Sequence, residues 1–583
     1  MSSADIQKVL VLDDRLAVSS EIKYAVHKGA QNMTSASFRA ISNSTSQLTF
    51  NIQVPSEQVI IDRRCMLRSQ LEFQVVGTPK LGEYLVNYGL TEAFGAFPLH
   101  QLFSTVQATI NNNSTSINIR DVLPAIVRMN DQRELQAYNG LTATAFDTYK
   151  SYADAVGAIN NPLGSWVNIG DNDLVPRGSL ALDDITGNTL GDGASQKTVV
   201  IKATFTEPLL MSPWLFADPT HKQGFYGIQN LNFVMNIGDT KRFWRTAKDI
   251  TASQQYNGAS YAVNLVAFNE PTLIFNFLTP HASQALTSPR NVVPYYELPR
   301  YITQYTSSIP SGASASITTQ TLQLNQVPDK LIIMVRKPMA SQLWDDTETF
   351  LQVNRCIVNW NNNSGILSSA TQQDLYRYAR ENGSNQNWSE FRGQANRNPA
   401  NPATLASHRI YTSGSLVVLD FGKDIQLVDE YYASGSIGSF SLQVQLEVVN
   451  NSDVSLDACE VCMITMNSGV FVCERGASSV FTALLTKQDV LSASQYQPYT
   501  RGDVKRLVGS GFLDTLKSIG SALGQQLLPI AGKVAEKAIM GRLGLGASGG
   551  AMSGGALSGG EMMGEGASGG AMSGGRMKKH LKM

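Results

Sequence analysis

The chain has 583 residues and a mass of 63.3 kDa, which at about 150 residues per domain suggests three or four domains or two large ones. Hydrophobic residues make up 43% of it, which excludes global disorder, while charged residues make up only 16%, well under the roughly 25% of an average globular chain. The formal net charge of -1 excludes electrostatic nucleic-acid binding by the chain as a whole.

The opening residues, Met1 to Arg15, hold only the short apolar run Val9–Leu12 before Asp13, Asp14 and Arg15, so no signal peptide is expected. No stretch of about 18 apolar residues is present, so no transmembrane helix is expected. Strand signals begin at Leu48, Phe50, Ile52 and Val54, which alternate with polar residues. Leu71, Phe73 and Val75 follow, then Val199, Ile201, Ala203 and Phe205, then Leu231, Phe233, Met235 and Ile237. Late in the chain Phe440, Leu442, Val444, Leu446 and Val448 repeat the pattern. Period two buries one face and leaves the other against water or a neighbour, which suits antiparallel sandwiches. The fold class is therefore all-β.

Turn chemistry separates the runs. Asn111-Asn112-Asn113 predicts a hairpin loop between Val106–Ile110 and Ser116–Ile119. Helices are predicted over Asp121–Leu135 and Thr371–Glu381, and long loops over Tyr149–Ser195 and Leu367–Ser407. A break near Thr279–Pro294 divides the chain into two β-rich blocks with no clear residue-level repeat between them.

After Tyr499 the composition changes. Phe512, Leu516, Ile519, Leu523 and Leu527 recur at helical spacing, and Pro529 should break or kink that amphipathic helix. It reads as docking its apolar face on protein, or on a membrane. Beyond Gly544 the chain is Gly-rich, and the run Gly546–Gly555 recurs unchanged as Gly566–Gly575. Residues 501–583 hold eleven Lys and Arg against five Asp and Glu, a basic tail that reads as touching nucleic acid or anionic lipid, or as plain solubilising sequence.

Signals for catalysis are thin. The histidines, His27, His100, His221, His281, His408 and His580, stand singly, and no metal-ligand spacing or nucleophile motif is present. Catalytic, cofactor and metal residues are all expected to be none. Five cysteines are too few and odd in number for a disulfide framework. Cys459 and Cys462 form a C-x-x-C in a strand-like context and read as buried reduced thiols. Asp345, Asp346 and Glu348 read as a solvated loop more than as a glycosidase pair. Arg501-Gly502-Asp503 matches an integrin-binding tripeptide but reads as a charged linker. Arg63 and Arg64 beside Asp62 fit either an interface or local salt bridges.

One set of residues carries a family resemblance. In order they are Asp14-Arg15-Leu16, Lys28-Gly29-Ala30, Ser46 to Asn51, Val54-Pro55-Ser56 and Ile61-Asp62-Arg63. Phe97-Pro98-Leu99, Ile110-Asn111-Asn112, Glu207 to Pro213 and Val327 to Ile333 come next. Leu375-Tyr376, Asn382-Gly383, Trp388, Gly414-Ser415-Leu416 and Asp424-Ile425 complete the set. Over residues 14–475 the chain resembles the major capsid proteins of virophages and Polinton-like (adintovirus-like) double-stranded DNA viruses.

The resemblance implies a double jelly roll, two eight-stranded antiparallel sandwiches, with an amphipathic helical and Gly-rich tail. It implies a homotrimeric pseudo-hexagonal capsomer in an icosahedral virion, made in the host cytoplasm, with the roll flanks becoming dry only when three copies close a ring. Residues 1–30 would be an arm, 31–285 and 286–495 the rolls, 496–543 the linker and amphipathic helices, and 544–583 the tail. Partners would be further copies, penton and minor capsid proteins, and a viral cysteine protease that cuts after a large aliphatic residue, any residue, Gly and Gly. Met552–Gly555, Leu557–Gly560 and Met572–Gly575 fit that rule, and Met562–Glu565 fits its variant, giving processing sites after Gly555, Gly560, Glu565 and Gly575. The rival reading is a glycan-binding or adhesin-type β-sandwich; a third, a glycan-active enzyme, predicts a carboxylate pair in a cleft.

Overall fold

The computed structural model describes residues 32–493 apart from 89–91, 131–140, 145, 149–179, 215–223, 247–260, 280–289, 397–408, 428–431, 453, 475 and 484. The first roll is built from β1 (Asn32–Arg39), β2 (Gln47–Gln53), β3 (Met66–Gly77), β4 (Phe103–Ile110), β5 (Asn113–Ile117), β6 (Lys197–Pro208), β7 (Asn230–Ile237) and β8 (Ala262–Thr279). One sheet runs β1-β8-β3-β6 and the other β2-β7-β4-β5, with every ladder antiparallel. The alternating residues of the sequence are its core: Leu48, Phe50, Ile52, Leu71, Phe73, Val75, Val199, Ile201, Leu231 and Phe233 are all buried. The Asn111-Asn112 hairpin joins β4 to β5, with Asn111 in the left-handed region at φ 53°.

The second roll repeats this plan. Its strands are β9 (Arg290–Glu297), β10 (Arg300–Tyr305), β11 (Ser314–Thr318), β12 (Leu322–Gln326), β13 (Lys330–Arg336), β14 (Gln352–Trp360), β15 (Asn363–Ile366), β16 (Val417–Asp420), β17 (Ile437–Val449), β18 (Cys459–Glu474) and β19 (Ala477–Phe481). One sheet places β18 between β9/β10 and β13, with β16 outside β13. The other places β17 between β11/β12 and β14, with β15 outside β14. The internal repeat is thus one of strand order, carried by residues that do not match.

The helices depart in part from the sequence reading. α1 is Pro98–Leu102 and α2 is Ile119–Arg128, so the helix expected over Asp121–Leu135 starts two residues earlier and stops at Arg128. Asn130 Nδ2 donates to the Ile126 carbonyl at 2.6 Å and Arg128 Nη1 to the Pro124 carbonyl at 3.1 Å, which satisfies last-turn acceptors and closes the helix. The expectation for Thr371–Glu381 holds: α3 is Gln372–Glu381, and Thr371 caps it in a reciprocal box with Asp374. With α4 (Trp388–Arg392) it takes up much of the stretch expected to be irregular from Leu367. The amphipathic segment Phe512–Leu527, the tail and most of Tyr149–Ser195 lie outside the described residues.

Burial departs from the expected flanks at two central strands of the second roll. β13 is buried at every residue, and β18 from Cys459 to Cys473. Arg336 of β13 meets α2 and Lys330 meets the end of α3, so these two central strands are covered on both faces within one copy, while β9 and β10 of the same sheet keep half-exposed residues. The sheets that alternate keep a half-exposed outer face.

Candidate functional site: the charged seam and the outer sheet faces

The two rolls meet along a seam of buried ions. α2 carries Asp121 in its first turn and Arg128 in its last, each sign set against the favourable end of the helix dipole. Asp121 accepts from Arg336 Nη2 at 2.5 Å and lies 2.7 Å from Arg300 Nε. Arg336 Nε donates to Glu460 at 2.7 Å. Burial pushes the Asp121 carboxyl up, but Arg336, Arg300 and Arg120 outweigh that and hold it below the usual carboxylate range.

At the other end of α2, Arg128 Nη2 donates to the main-chain oxygens of Glu348 (2.6 Å) and Asp147 (3.1 Å). Its guanidinium lies 4.6 Å from the centre of the Phe350 ring. Arg242 donates to Glu348 Oε1 at 3.0 Å, and Arg245 Nε lies 3.6 Å from Asp147. Burial, then the nearby Arg336, brings the pKa of Arg242 down to about 9 against the pull of Glu348. Among the described residues, five arginines thus share four carboxylates: Asp121, Asp147, Glu348 and Glu460.

Glu348 corrects the sequence reading, which leaves it on a solvated loop. Its side chain is 4% exposed, because the buried Arg128 and Arg242 of the first roll require a counter-charge there. Asp346 is half-buried and accepts from Lys337 Nζ at 2.7 Å and the Leu343 N–H at 2.8 Å. A cleft of about 260 Å³ beside it is lined by Asp345, Asp346, Asp457 and Lys337 among others.

Smaller ties extend the seam. Ser478 of β19 binds the hairpin tip of the first roll, its N–H donating to Asn112 Oδ1 (2.8 Å) and its hydroxyl to the Ile110 oxygen (2.5 Å). The Tyr296 N–H donates to Ser212 Oγ at 2.9 Å. Arg63 is buried and donates to the Pro213 carbonyl, 150 residues along the chain, at 3.0 Å, while the Arg64 N–H donates to Asp62. Glu207 caps α1, accepting from the N–H groups of Leu99 (2.9 Å) and His100 (3.1 Å), which joins two of the resemblance motifs.

The outer face of β2-β7-β4-β5 is polar yet uncharged. Gln47, Asn51, Asn232, Asn236, Gln107 and Ser114 line it. Gln47 donates to Asn236 at 3.1 Å and Gln107 to Ser114 at 2.7 Å. In the second roll Asn359 donates to Gln443 on the matching face at 3.2 Å.

Cys459 and Cys462 are both buried on β18, and burial raises their thiols to about 12 and about 11. Among the described residues no group of three metal-ligating side chains is assembled, and no helix is long and apolar enough to cross a membrane. The proposed processing and docking residues lie outside the described residues.

Comparison with known proteins agrees with this architecture. The family model for the Sputnik virophage major capsid protein first domain matches residues 4–278, and that for the major capsid protein V20 C-terminal domain matches residues 298–469. Capsid protein V20 of Sputnik virophage is 29% identical over 546 residues, 91% of this chain and 88% of that protein. A chain of the Sputnik virophage structure determined by cryo-EM superposes with a TM-score of 0.77 at 28% identity, over 87% of this chain and 100% of that one. The crystal structure of the mavirus major capsid protein shares the fold, with a TM-score of 0.70 at 15% identity over 86% of this chain and 100% of that one. The two family models fall one on each roll and together span more than three quarters of the sequence, so the chain belongs to the virophage major capsid protein family, double jelly-roll structural proteins of the virion rather than enzymes.

Proposed function

We propose that three copies close into a pseudo-hexagonal capsomer and that these capsomers tile an icosahedral shell around double-stranded DNA. The observation that carries this is the uncharged amide and hydroxyl surface on the outer β2-β7-β4-β5 face of the first roll. Such a face is cheap to dehydrate against a second protein, since no ion loses its water, and interface cores are depleted of charge for that reason. Two rolls of like topology per copy give a threefold ring a near-hexagonal outline.

In this reading residues 31–285 and 286–495 are the two rolls and 1–30 an arm. Tyr149–Ser195 and the part of Leu367–Ser407 left free by α3 and α4 rim the outer end. Phe512, Leu516, Ile519, Leu523 and Leu527 dock beneath the shell, and the basic tail reaches genome or lipid. Penton and minor capsid proteins complete the lattice, and a viral cysteine protease trims the tail after Gly555, Gly560, Glu565 or Gly575.

Size-exclusion chromatography with light scattering tests the capsomer. The expected mass is three times 63.3 kDa, with hexagonal tiles in electron micrographs; a stable monomer overturns it. Intact mass from purified virions tests the trimming, which a full-length mass rules out.

A further inference from the structure

Three of the resemblance motifs, Asp329-Lys330, Asn382-Gly383 and Asp424-Ile425, come from separate parts of the second roll and meet at one buried point. Lys330 opens β13 and is 2% exposed. Its Nζ donates to the main-chain oxygen of Asn382 at 2.7 Å, just past the end of α3. Asn382 is 4% exposed. Its side-chain nitrogen Nδ2 donates to Asp424 Oδ2 at 2.5 Å and to the Val418 oxygen at 3.0 Å. The same Asp424 oxygen accepts the Asp420 N–H at 2.9 Å, and Asp420 is the ladder partner of Lys330. Asp329, adjacent in sequence, is buried as well.

A buried primary amine, a carboxamide on the residue it touches, and a carboxyl holding the amide nitrogen are the parts of a transamidation site. The β-sandwich around them keeps water out and holds the groups in place. We propose that Lys330 and Asn382 become joined by an intramolecular isopeptide bond, with Asp424 as the acid–base group.

The step balances without a co-reactant. The carboxylates of the cluster take one proton from the Lys330 ammonium. The free Nζ adds to Cγ of Asn382, forming the new C–N bond. Asp424 relays a proton from Nζ to Nδ2, the Cγ–Nδ2 bond breaks, and ammonia leaves, taking up the first proton. An ammonium and a carboxamide become a secondary amide and an ammonium ion, and nothing is oxidised or reduced. The bond closes a loop of 52 residues and ties β13 to the end of α3 within one copy, so it does not depend on trimer formation. A lysine at this position also opposes the dipole of α3, and that role alone leaves the mass unchanged.

The test is the intact mass of the full chain, purified natively and then denatured, followed by peptide mapping. The expected mass is lower by one ammonia, about 17 Da, with a branched peptide joining Lys330 to Asn382. Lys330→Arg and Asp424→Asn, checked for native circular dichroism, should return the full mass and linear peptides. An unshifted wild-type mass overturns the proposal. So does a loss of ammonia with linear peptides only, which marks a succinimide at Asn382-Gly383. The wild-type measurement decides even where a variant fails to fold.

Discussion

Asp121 and Arg336 are 215 residues apart in the chain and 2.5 Å apart in the fold, one in each roll. Their pairing, with Arg300 and Glu460 beside it, fixes one roll against the other at a point where neither ion touches water. Removing one partner leaves the other charged in a dry site. Asp121→Ala should therefore destabilise the chain by about 3–5 kcal/mol. Asp121→Leu combined with Arg336→Met should cost less than the sum of the single changes, because no charge of that pair is left stranded. Urea denaturation of the four proteins measures the coupling, and strict additivity would show that the pair does not hold the seam.

Asp329 supplies a pH signature. Burial raises its pKa from 3.8 to about 6, against the hydrogen bonds from Ser468. The folded chain holds that proton more tightly than the unfolded chain does. The stabilising contribution is thus fully present below about pH 4 and is lost as pH rises through about 6. Asp329→Asn keeps an acceptor for the Ser468 N–H and removes the titration. The stability of wild type relative to this variant should fall by about 2–3 kcal/mol between pH 4 and pH 7, read from denaturation midpoints. A difference flat with pH would remove Asp329 as the source.

Gly414 should tolerate no side chain. Its φ is +85°, and a methyl group there would run into the carbonyl of Phe350. Its own N–H and carbonyl are engaged with Glu390 and Gln386, so the backbone cannot turn away. Gly414→Ala should lose more than about 2 kcal/mol in thermal or urea melts.

All five thiols are buried, and burial raises Cys356, Cys459 and Cys473 to about 12. The native chain should resist alkylation by iodoacetamide at neutral pH, because thiolate is scarce and unreachable. All five should react once the chain is unfolded. Rapid labelling of native protein at Cys459 or Cys462 would show that β18 is not closed.

The strands of the first roll were legible because one face of each is wet. Leu48, Phe50 and Ile52 alternate with exposed or half-exposed residues, and the alternation survives in the residues themselves. β18 erases that signal, since it is covered on both sides and holds Cys, Val, Met and Ile without period. The seam was invisible for a different reason. Arg128, Arg242 and Arg336 look like ordinary surface cations until partners 220, 106 and 215 residues away are placed beside them. Glu348 looks like a solvated loop residue on the same grounds, being acidic and two residues from Asp345-Asp346. The family motifs mark hydrogen-bonding positions such as Glu207 and Asn382, and their order carried the fold where periodicity did not.

Synthesis runs from the amino end, and that gives the seam a history. Asp121, Arg128 and Arg242 leave the ribosome well before Glu348 and Glu460 exist. Until then the nascent half must keep its ions hydrated, so its inner surface stays open while translation continues. A prematurely terminated product can never seal that surface. A chain that ends before Glu348 leaves Arg128 and Arg242 without that counter-charge.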